Sequence, residues 1–182
     1  NCWKNRTSGT TEHFDGGISY LNNLFIALGQ SGTILTSSDG VTWTSRTSGS
    51  SRNLWAVAYG NSTYVVVGGS GTILTSSDGI SWTSRSSGTS SPLYGVSFGN
   101  NVFVAVGYSA TILSSSDGSS WSSRSGAEGQ LDTVTYGNGK FIAVGAAYNK
   151  LFSSGDGTNW TTVSHGSTLG MKGIVYANNK FV

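Results

Sequence analysis

The sequence of 182 residues has little charge, one cysteine, two histidines and no long apolar run, and each shortage excludes a class of function. Charged residues make up 10% of the chain, against roughly 25% in an average soluble domain. The ten basic residues form no stripe, which predicts no binding to nucleic acid. Cys2 has no partner for a disulfide within the chain. His13 and His165 lack zinc-ligand spacing, so we predict no metal or other cofactor, and without 18 consecutive apolar residues we predict no membrane insertion.

What the chain does contain is a repeat of 39 residues, marked by an Asp-Gly pair and by a Trp three residues after the glycine. A second pattern recurs with it, in which two aromatic residues flank a turn containing Asn, as in Tyr59 to Tyr64. Similarity at a fixed period is typical of stacked, identical supersecondary units. The four copies of the first pattern are Asp39, Gly40 and Trp43; Asp78, Gly79 and Trp82; Asp117, Gly118 and Trp121; and Asp156, Gly157 and Trp160.

Within one repeat, the local signals all indicate β-structure. Short runs that alternate in polarity or are rich in Val are separated by the turn pairs Gly60-Asn61 and Asp78-Gly79, whose residues tolerate positive φ. No segment has the apolar period of a helix. The strands predicted for the second repeat are 54–59, 64–68, 72–76 and 80–85.

Four short antiparallel strands in each repeat predict an all-β chain, specifically a β-propeller of four-stranded antiparallel blades. A β-solenoid is the alternative. We expect a single domain, 1–182, with about five blades, of which the fifth is composite and incomplete, formed by 1–6 with 171–182. Its missing strand favours a fragment of a longer protein. The full blades are predicted near 14–46, 54–85, 93–124 and 131–163.

The motif Ser-x-Asp-Gly-x-x-Trp, as in Ser37 to Trp43, resembles the Asp-box, or BNR-type, repeat of sialidase and sortilin-type propellers. It resembles more closely the photosystem II stability/assembly-factor-like repeats of many bacterial surface proteins. The usual Asp-box has one more residue between Asp and Gly, so this is a variant. The resemblance implies a propeller fold. We expect the motif to be structural, because Asp can accept backbone N–H groups across the turn, Gly can adopt positive φ, and Trp can pack between blades.

Catalysis is not expected. A sialidase-like site needs converging arginines, but four of the five arginines occupy one repeated position on successive repeats. A glycosidase needs two carboxylates across a cleft, and the acids outside the repeat pattern are few. A fragment of a glycoside hydrolase remains the enzymatic alternative. Those acids are Glu12, Asp15, Glu128 and Asp132.

Positions that vary between repeats indicate where a ligand can bind. The two hairpin turns of each repeat vary little and should share one face, which places the variable connections on the opposite face. We therefore predict a bacterial, extracellular or cell-surface, non-enzymatic module that binds a glycan or a protein there. A purely structural scaffold is the alternative, in which Trp55 and Tyr94 only plug the channel. The candidate ligand-binding residues are Trp55, Tyr94, Asp132, Lys172, Tyr108, Arg52 and Gln30.

Overall fold

The computed structural model describes residues 7–145, 150–164 and 170–182, and their secondary structure is almost entirely β. Four four-stranded antiparallel sheets follow one another along the chain, and a two-stranded sheet follows them. We call the four complete sheets blades 1 to 4. The strands are β1 (Ile18–Leu21), β2 (Leu24–Leu28), β3 (Ile34–Ser37) and β4 (Thr44–Arg46) in blade 1; β5 (Leu54–Gly60), β6 (Thr63–Gly68), β7 (Ile73–Ser76) and β8 (Thr83–Arg85) in blade 2; β9 (Leu93–Gly99), β10 (Val102–Gly107), β11 (Ile112–Ser115) and β12 (Ser122–Arg124) in blade 3; β13 (Thr133–Gly137), β14 (Lys140–Val144), β15 (Leu151–Ser154) and β16 (Thr161–Val163) in blade 4; and β17 (Tyr176–Ala177) and β18 (Lys180–Phe181).

The predicted all-β class with four-stranded antiparallel blades is confirmed. Each blade is a simple meander in which consecutive strands pair. The strands β17 and β18 form a two-stranded sheet, and residues 1–6, predicted to join it in a composite blade, lie outside the described residues. Within the described ranges, no helix is long and apolar enough to cross a membrane.

Most strand ends in blade 2 lie within one residue of the sequence prediction, but the turns differ from it in two respects. The first hairpin of blade 2 has positive φ at Asn61 (46°) and Ser62 (56°), while Gly60 ends β5 in extended conformation. The fourth strand begins at Thr83 rather than at Ile80, because Ile80 and Ser81 belong to the turn that Asp78 holds. Alternation of polarity cannot separate a wide turn from the strand that follows it.

The apolar cores lie between blades. One core joins Ile26 and Leu28 of blade 1 to Tyr64 and Val66 of blade 2, and all four side chains are at most 2% exposed. Val65, the residue between the last two, packs instead into the core toward blade 3. Because successive residues of a strand point to opposite faces, each second strand supplies both neighbouring cores. This explains why the second strands are continuous apolar runs.

In blades 2, 3 and 4 the first strand ends in a glycine that lies in close contact with the next sheet. A Cβ atom on Gly60 would lie 2.2 Å from the ring of Phe98, and one on Gly99 would lie 2.0 Å from the ring of Tyr136. Gly137 has the same relation to Tyr176. These glycines are therefore required by packing against the next blade, and their backbones have no positive φ.

Each Asp-Gly turn is closed by its own aspartate. The Asp39 carboxylate accepts the backbone N–H of Val41 at 2.7 Å and of Thr42 at 2.8 Å, and the Ser37 hydroxyl donates to it at 2.9 Å. Gly40 has a φ of 68°. The turns at Asp78, Asp117 and Asp156 repeat this geometry. In each copy, the Asp-Gly motif thus holds the wide turn before the fourth strand by hydrogen bonds to its own backbone.

The repeated tryptophans of blades 2, 3 and 4 pack on the cores between blades. Trp160 is 7% exposed and lies 6.5 Å, between ring centroids, from Phe141. Trp121 packs on the core between blades 2 and 3, and its indole N–H donates to the carbonyl of Gly118 at 2.8 Å. Trp43 and Trp82 contact Phe25 and Tyr64 in the same way.

The Asp turns make stability depend on pH in a defined direction. Hydrogen bonds from Thr42, Val41 and Ser37 lower the pKa of Asp39 from 3.8 to about 2. A carboxyl group whose pKa is lower in the folded state stabilises the protein at pH values above its unfolded-state pKa. This stabilisation is lost as the pH falls through the folded-state pKa. We therefore expect the urea midpoint to decrease between about pH 4 and pH 2. Asp39→Asn should show a smaller decrease than the wild-type protein, and equal decreases in the two proteins would contradict this prediction.

Candidate ligand-binding rim

The two ends of the blades carry different segments, hairpin turns at one end and the connections between blades at the other. At one end, hairpin turns of adjacent blades contact each other, since the Asn61 amide donates to the carbonyl of Ser116 at 3.0 Å. At the other end, the connection between blades bonds to the connection between second and third strands, from the Gly69 N–H to the carbonyl of Asn53 at 2.9 Å. We call these the hairpin face and the connection face. The variable residues lie on the connection face.

The first strands of blades 2 and 3 each contain a bulge near this face. Leu54 pairs with Gly68 and Ala56 with Val67, so Trp55 is an extra residue without a cross-strand partner. Tyr94 is the extra residue of β9 in the same way, between the pairs of Leu93 and Gly95. A bulge turns its side chain away from the regular alternation of a strand. The position that varies most clearly between repeats, occupied by Trp55 in blade 2 and Tyr94 in blade 3, is therefore also the position at which a bulge changes the direction of the side chain.

The bulge positions of successive blades lie next to one another, because β5 packs against β9 and β9 against β13. The rings of Trp55 and Tyr94 are 5.1 Å apart between centroids and tilted by 40°. At the corresponding position of blade 1, a Cβ on Gly16 would lie 2.9 Å from the carbonyl oxygen of Trp55. At that of blade 4, the Asp132 carboxylate acts electrostatically on Tyr94. We call Gly16, Trp55, Tyr94 and Asp132 the rim.

The burial and charge of the rim change the pKa of the Tyr94 hydroxyl. Partial burial raises the pKa of Tyr94, and the nearby Asp132 carboxylate and Tyr108 raise it further. Asp132 itself accepts a hydrogen bond from the side-chain amide of Gln130. The raised pKa extends the pH range in which the Tyr94 hydroxyl is neutral and can donate a hydrogen bond, beside the half-buried indole of Trp55.

The other predicted binding residues surround the rim to different extents. Tyr108 is 52% exposed and close enough to Tyr94 to influence its pKa. Arg52 is exposed, and its Cβ and the Trp55 ring both border Gly69. The Gln30 amide is bonded to the carboxylate of Asp15 at 2.7 Å, one blade away from the aromatic pair. Lys172 is exposed, and in the described part of the chain it forms no hydrogen bond or ion pair with a rim residue.

The likeness of this chain to known proteins lies in its structure. No protein-family profile and no curated protein matches the sequence. YCF48 from Cyanidioschyzon merolae matches in structure with a TM-score of 0.68 and 19% identity, over 90% of this chain and 60% of that one. The WD40 beta propeller domain of Doa1 matches with a TM-score of 0.69 and 14% identity, over 97% and 64%.

The fold is a β-propeller. A further match is the structure of YCF48 bound to D1 peptide, with a TM-score of 0.69 and 16% identity, over 91% of this chain and 58% of that one. The chain thus spans about 60% of the length of the two YCF48 structures. At these identities the likeness shows the fold alone.

The propeller uses its repeated arginines within blades. Arg46 donates to the Thr36 hydroxyl at 2.8 Å, across the pair of β3 and β4. Arg85 and Arg124 repeat this bond with Thr75 and Ser114. Each arginine is therefore held at the outer strands of its own blade. Among the described residues, no group of three His, Cys, Asp or Glu side chains could hold a metal ion.

Three polar contacts of the connection face were missed as site features by sequence reasoning. These are the bonds of Asp15 with Gln30 and of Gln130 with Asp132, and the ion pair of Glu128 with Lys150 at 2.7 Å. The only signal was that all of these residues lie outside the repeat pattern. A pairing between separate connections depends on the packing of the propeller, which the sequence pattern does not specify.

The connection that contains Tyr108 also contains an alanine with left-handed backbone, Ala110, whose substitution tests whether this conformation costs stability. Ala110 has a φ of 57°, whereas the corresponding residues of blades 1 and 2 are Gly32 (75°) and Gly71 (70°). Left-handed backbone costs an L-residue about 1 kcal/mol, partly offset by the greater unfolded-state entropy of glycine. We expect Ala110→Gly to raise the free energy of unfolding by about 0.5 kcal/mol, measured by urea denaturation.

The matched reverse substitution is Gly71→Ala. It should destabilise the protein, because its Cβ would lie 2.0 Å from the carbonyl oxygen of Thr89. A loss of stability in Ala110→Gly would show that the alanine is not strained.

Proposed function

We propose that this propeller is a non-enzymatic binding module that recognises an extended segment of another protein at the rim. The observation that carries the proposal is the pair of bulged aromatic residues, Trp55 and Tyr94, which are half-buried and in ring contact on the variable face. Rigid aromatic side chains with a polar tip are enriched at the centres of binding interfaces. Support also comes from a structurally similar protein, YCF48, whose structure has been solved with a bound peptide.

A structural role explains the repeat positions but not the rim. The Asp-Gly turns, the glycines under aromatic rings and the tryptophans all serve packing between blades. A scaffold would need nothing more, and an aromatic pair at a bulge would then contribute only packing. If Trp55→Ala and Tyr94→Ala alter stability alone, the scaffold is the better description.

A glycan is the second candidate ligand. Tilted indole and phenol rings beside the Asp132 carboxylate also provide the stacking surface and hydrogen-bond acceptor that a sugar needs.

The proposal includes an extracellular or cell-surface location. It is supported by the composition of the chain, which has only 10% charged residues and many Ser, Thr and Gly residues.

The test is a parallel selection on the purified chain. Random dodecapeptides displayed on phage and a glycan array would be screened against the wild-type protein and against Trp55→Ala/Tyr94→Ala, after confirming that the variant is folded. We expect peptides that bind the wild type and not the variant. Binding to glycans alone would replace the protein ligand by a sugar, and no enrichment in either screen would favour the scaffold.

A further inference from the structure

Three polar groups at and beside the rim have no hydrogen-bond partner among the residues that the structure describes. They are the indole N–H of Trp55 and the hydroxyls of Tyr94 and Tyr108. All three are donors attached to flat apolar rings. The Asp132 carboxylate at the rim, by contrast, already accepts the side-chain amide of Gln130.

The donors and rings together favour one kind of polypeptide. An ordinary extended segment brings one backbone N–H for each carbonyl, and its N–H groups need acceptors. A proline has no backbone N–H, so a proline-rich segment presents carbonyl acceptors and apolar ring faces. Such segments are already extended in the polyproline II conformation, so they lose little conformational entropy on binding. Grooves lined by aromatic residues recognise them in other domains.

We propose that the rim binds a proline-rich segment in the polyproline II conformation, with a proline ring packed on the joint surface of the Trp55 and Tyr94 rings. The indole N–H of Trp55 and the hydroxyls of Tyr94 and Tyr108 donate to carbonyl groups of the segment. This inference rests on the proposed function and narrows its ligand class. That surface is formed by two touching rings whose centroids are 5.1 Å apart and whose planes are tilted by 40°.

The residues at the bulge position of each blade explain why this aromatic site is confined to one part of the rim. Of the four described blades, only blades 2 and 3 carry an aromatic residue at the bulge position, and the neighbouring positions are Gly16 and Asp132. Gly16 leaves no room for a side chain, because a Cβ there would lie 2.7 Å from the Leu28 Cβ and from the Leu54 carbonyl oxygen. The aromatic surface therefore ends at Trp55 on one side and meets the carboxylate of Asp132 on the other.

The experiment is a fluorescence anisotropy titration with two labelled neutral peptides of equal length. One contains four Ala-Pro-Pro repeats and the other four Ala-Ser-Ser repeats. We expect the first to bind at least about tenfold more tightly, since only it lacks N–H donors at two of three positions. Removing one donor with Tyr94→Phe should weaken its binding about three- to tenfold. The matched control is Tyr20→Phe on the hairpin face, where Tyr20 is 56% exposed, and it should have no effect.

Each outcome decides between the two proposals. Equal affinity for the two peptides, or no effect of Tyr94→Phe, would overturn the proline-rich ligand and leave a peptide-binding rim. Failure of both peptides, together with a selection that enriches other sequences, would overturn this inference alone. Failure of both peptides with no enrichment at all would overturn the proposed function as well.

Discussion

Replacing Gly99 by alanine should lower the free energy of unfolding by about 2–3 kcal/mol. The new Cβ would lie 2.0 Å from Cγ of Tyr136, the ring atom closest to the backbone and least able to move away. Blades 3 and 4 would have to separate at their first strands to accommodate it. Because the interblade cores are close-packed, that separation loses contacts over a wide area. Urea denaturation of the purified variant would measure the loss.

The control for this prediction is Gly155→Ala. Unlike Gly99, which ends β9, Gly155 lies in the turn before Asp156, and it has no atoms within 4 Å of an added Cβ and no positive φ. Its substitution should change stability by less than about 0.5 kcal/mol. In a double-mutant cycle, Gly99→Ala should cost under about 1 kcal/mol when Tyr136 is already alanine. A full cost in that background would show that Tyr136 is not the clashing group.

The double substitution Trp55→Ala/Tyr94→Ala should weaken binding of any selected peptide by at least about 50-fold. Central aromatic residues commonly contribute about 2 kcal/mol or more, and here each ring also supports the other across 5.1 Å. The two residues are only half-buried and have no cross-strand backbone partners, so the fold should survive their loss. Calorimetric titration with a selected peptide would measure the effect.

The matched control for that variant is on the opposite face. Tyr20→Ala removes an exposed aromatic residue that contacts Phe25 with centroids 4.4 Å apart. It should leave peptide affinity within about twofold of the wild type. If it weakens binding as much as the rim variant does, the ligand does not lie on the connection face.

The repeat made much of the fold predictable without any structure. Two tight turns and four short β-segments recurring at 39 residues, as between Leu54 and Arg85, indicate four-stranded units that must bury their faces against each other. The Asp-Gly turn was predictable because an Asx turn is local, with all its bonds within three residues of Asp39. The boundaries were less accurate where a turn is wide, as at Ile80.

The candidate site was predictable as a set of positions but not as an arrangement. Comparing repeats with one another selected Trp55, Tyr94 and Asp132, because residues needed by every blade are the same in every blade. It selected Lys172 and Gln30 equally, but in the described part of the chain neither forms a hydrogen bond with the aromatic pair, and Gln30 instead bonds to Asp15. Variability shows which residues are free to differ, and proximity depends on the packing of one blade on the next.

By itself, then, the sequence determined the repeat unit, its four strands, its Asp-closed turns and the identity of the variable positions. These follow from backbone preferences and from hydrogen bonds between residues close in the chain. The tertiary structure alone decided that Gly60 and Gly99 are needed under aromatic rings of the next blade, that Trp55 and Tyr94 are bulge residues, and that their rings meet. Each of these depends on the register and spacing of strands about 40 residues apart, and such spacing follows from how entire blades pack.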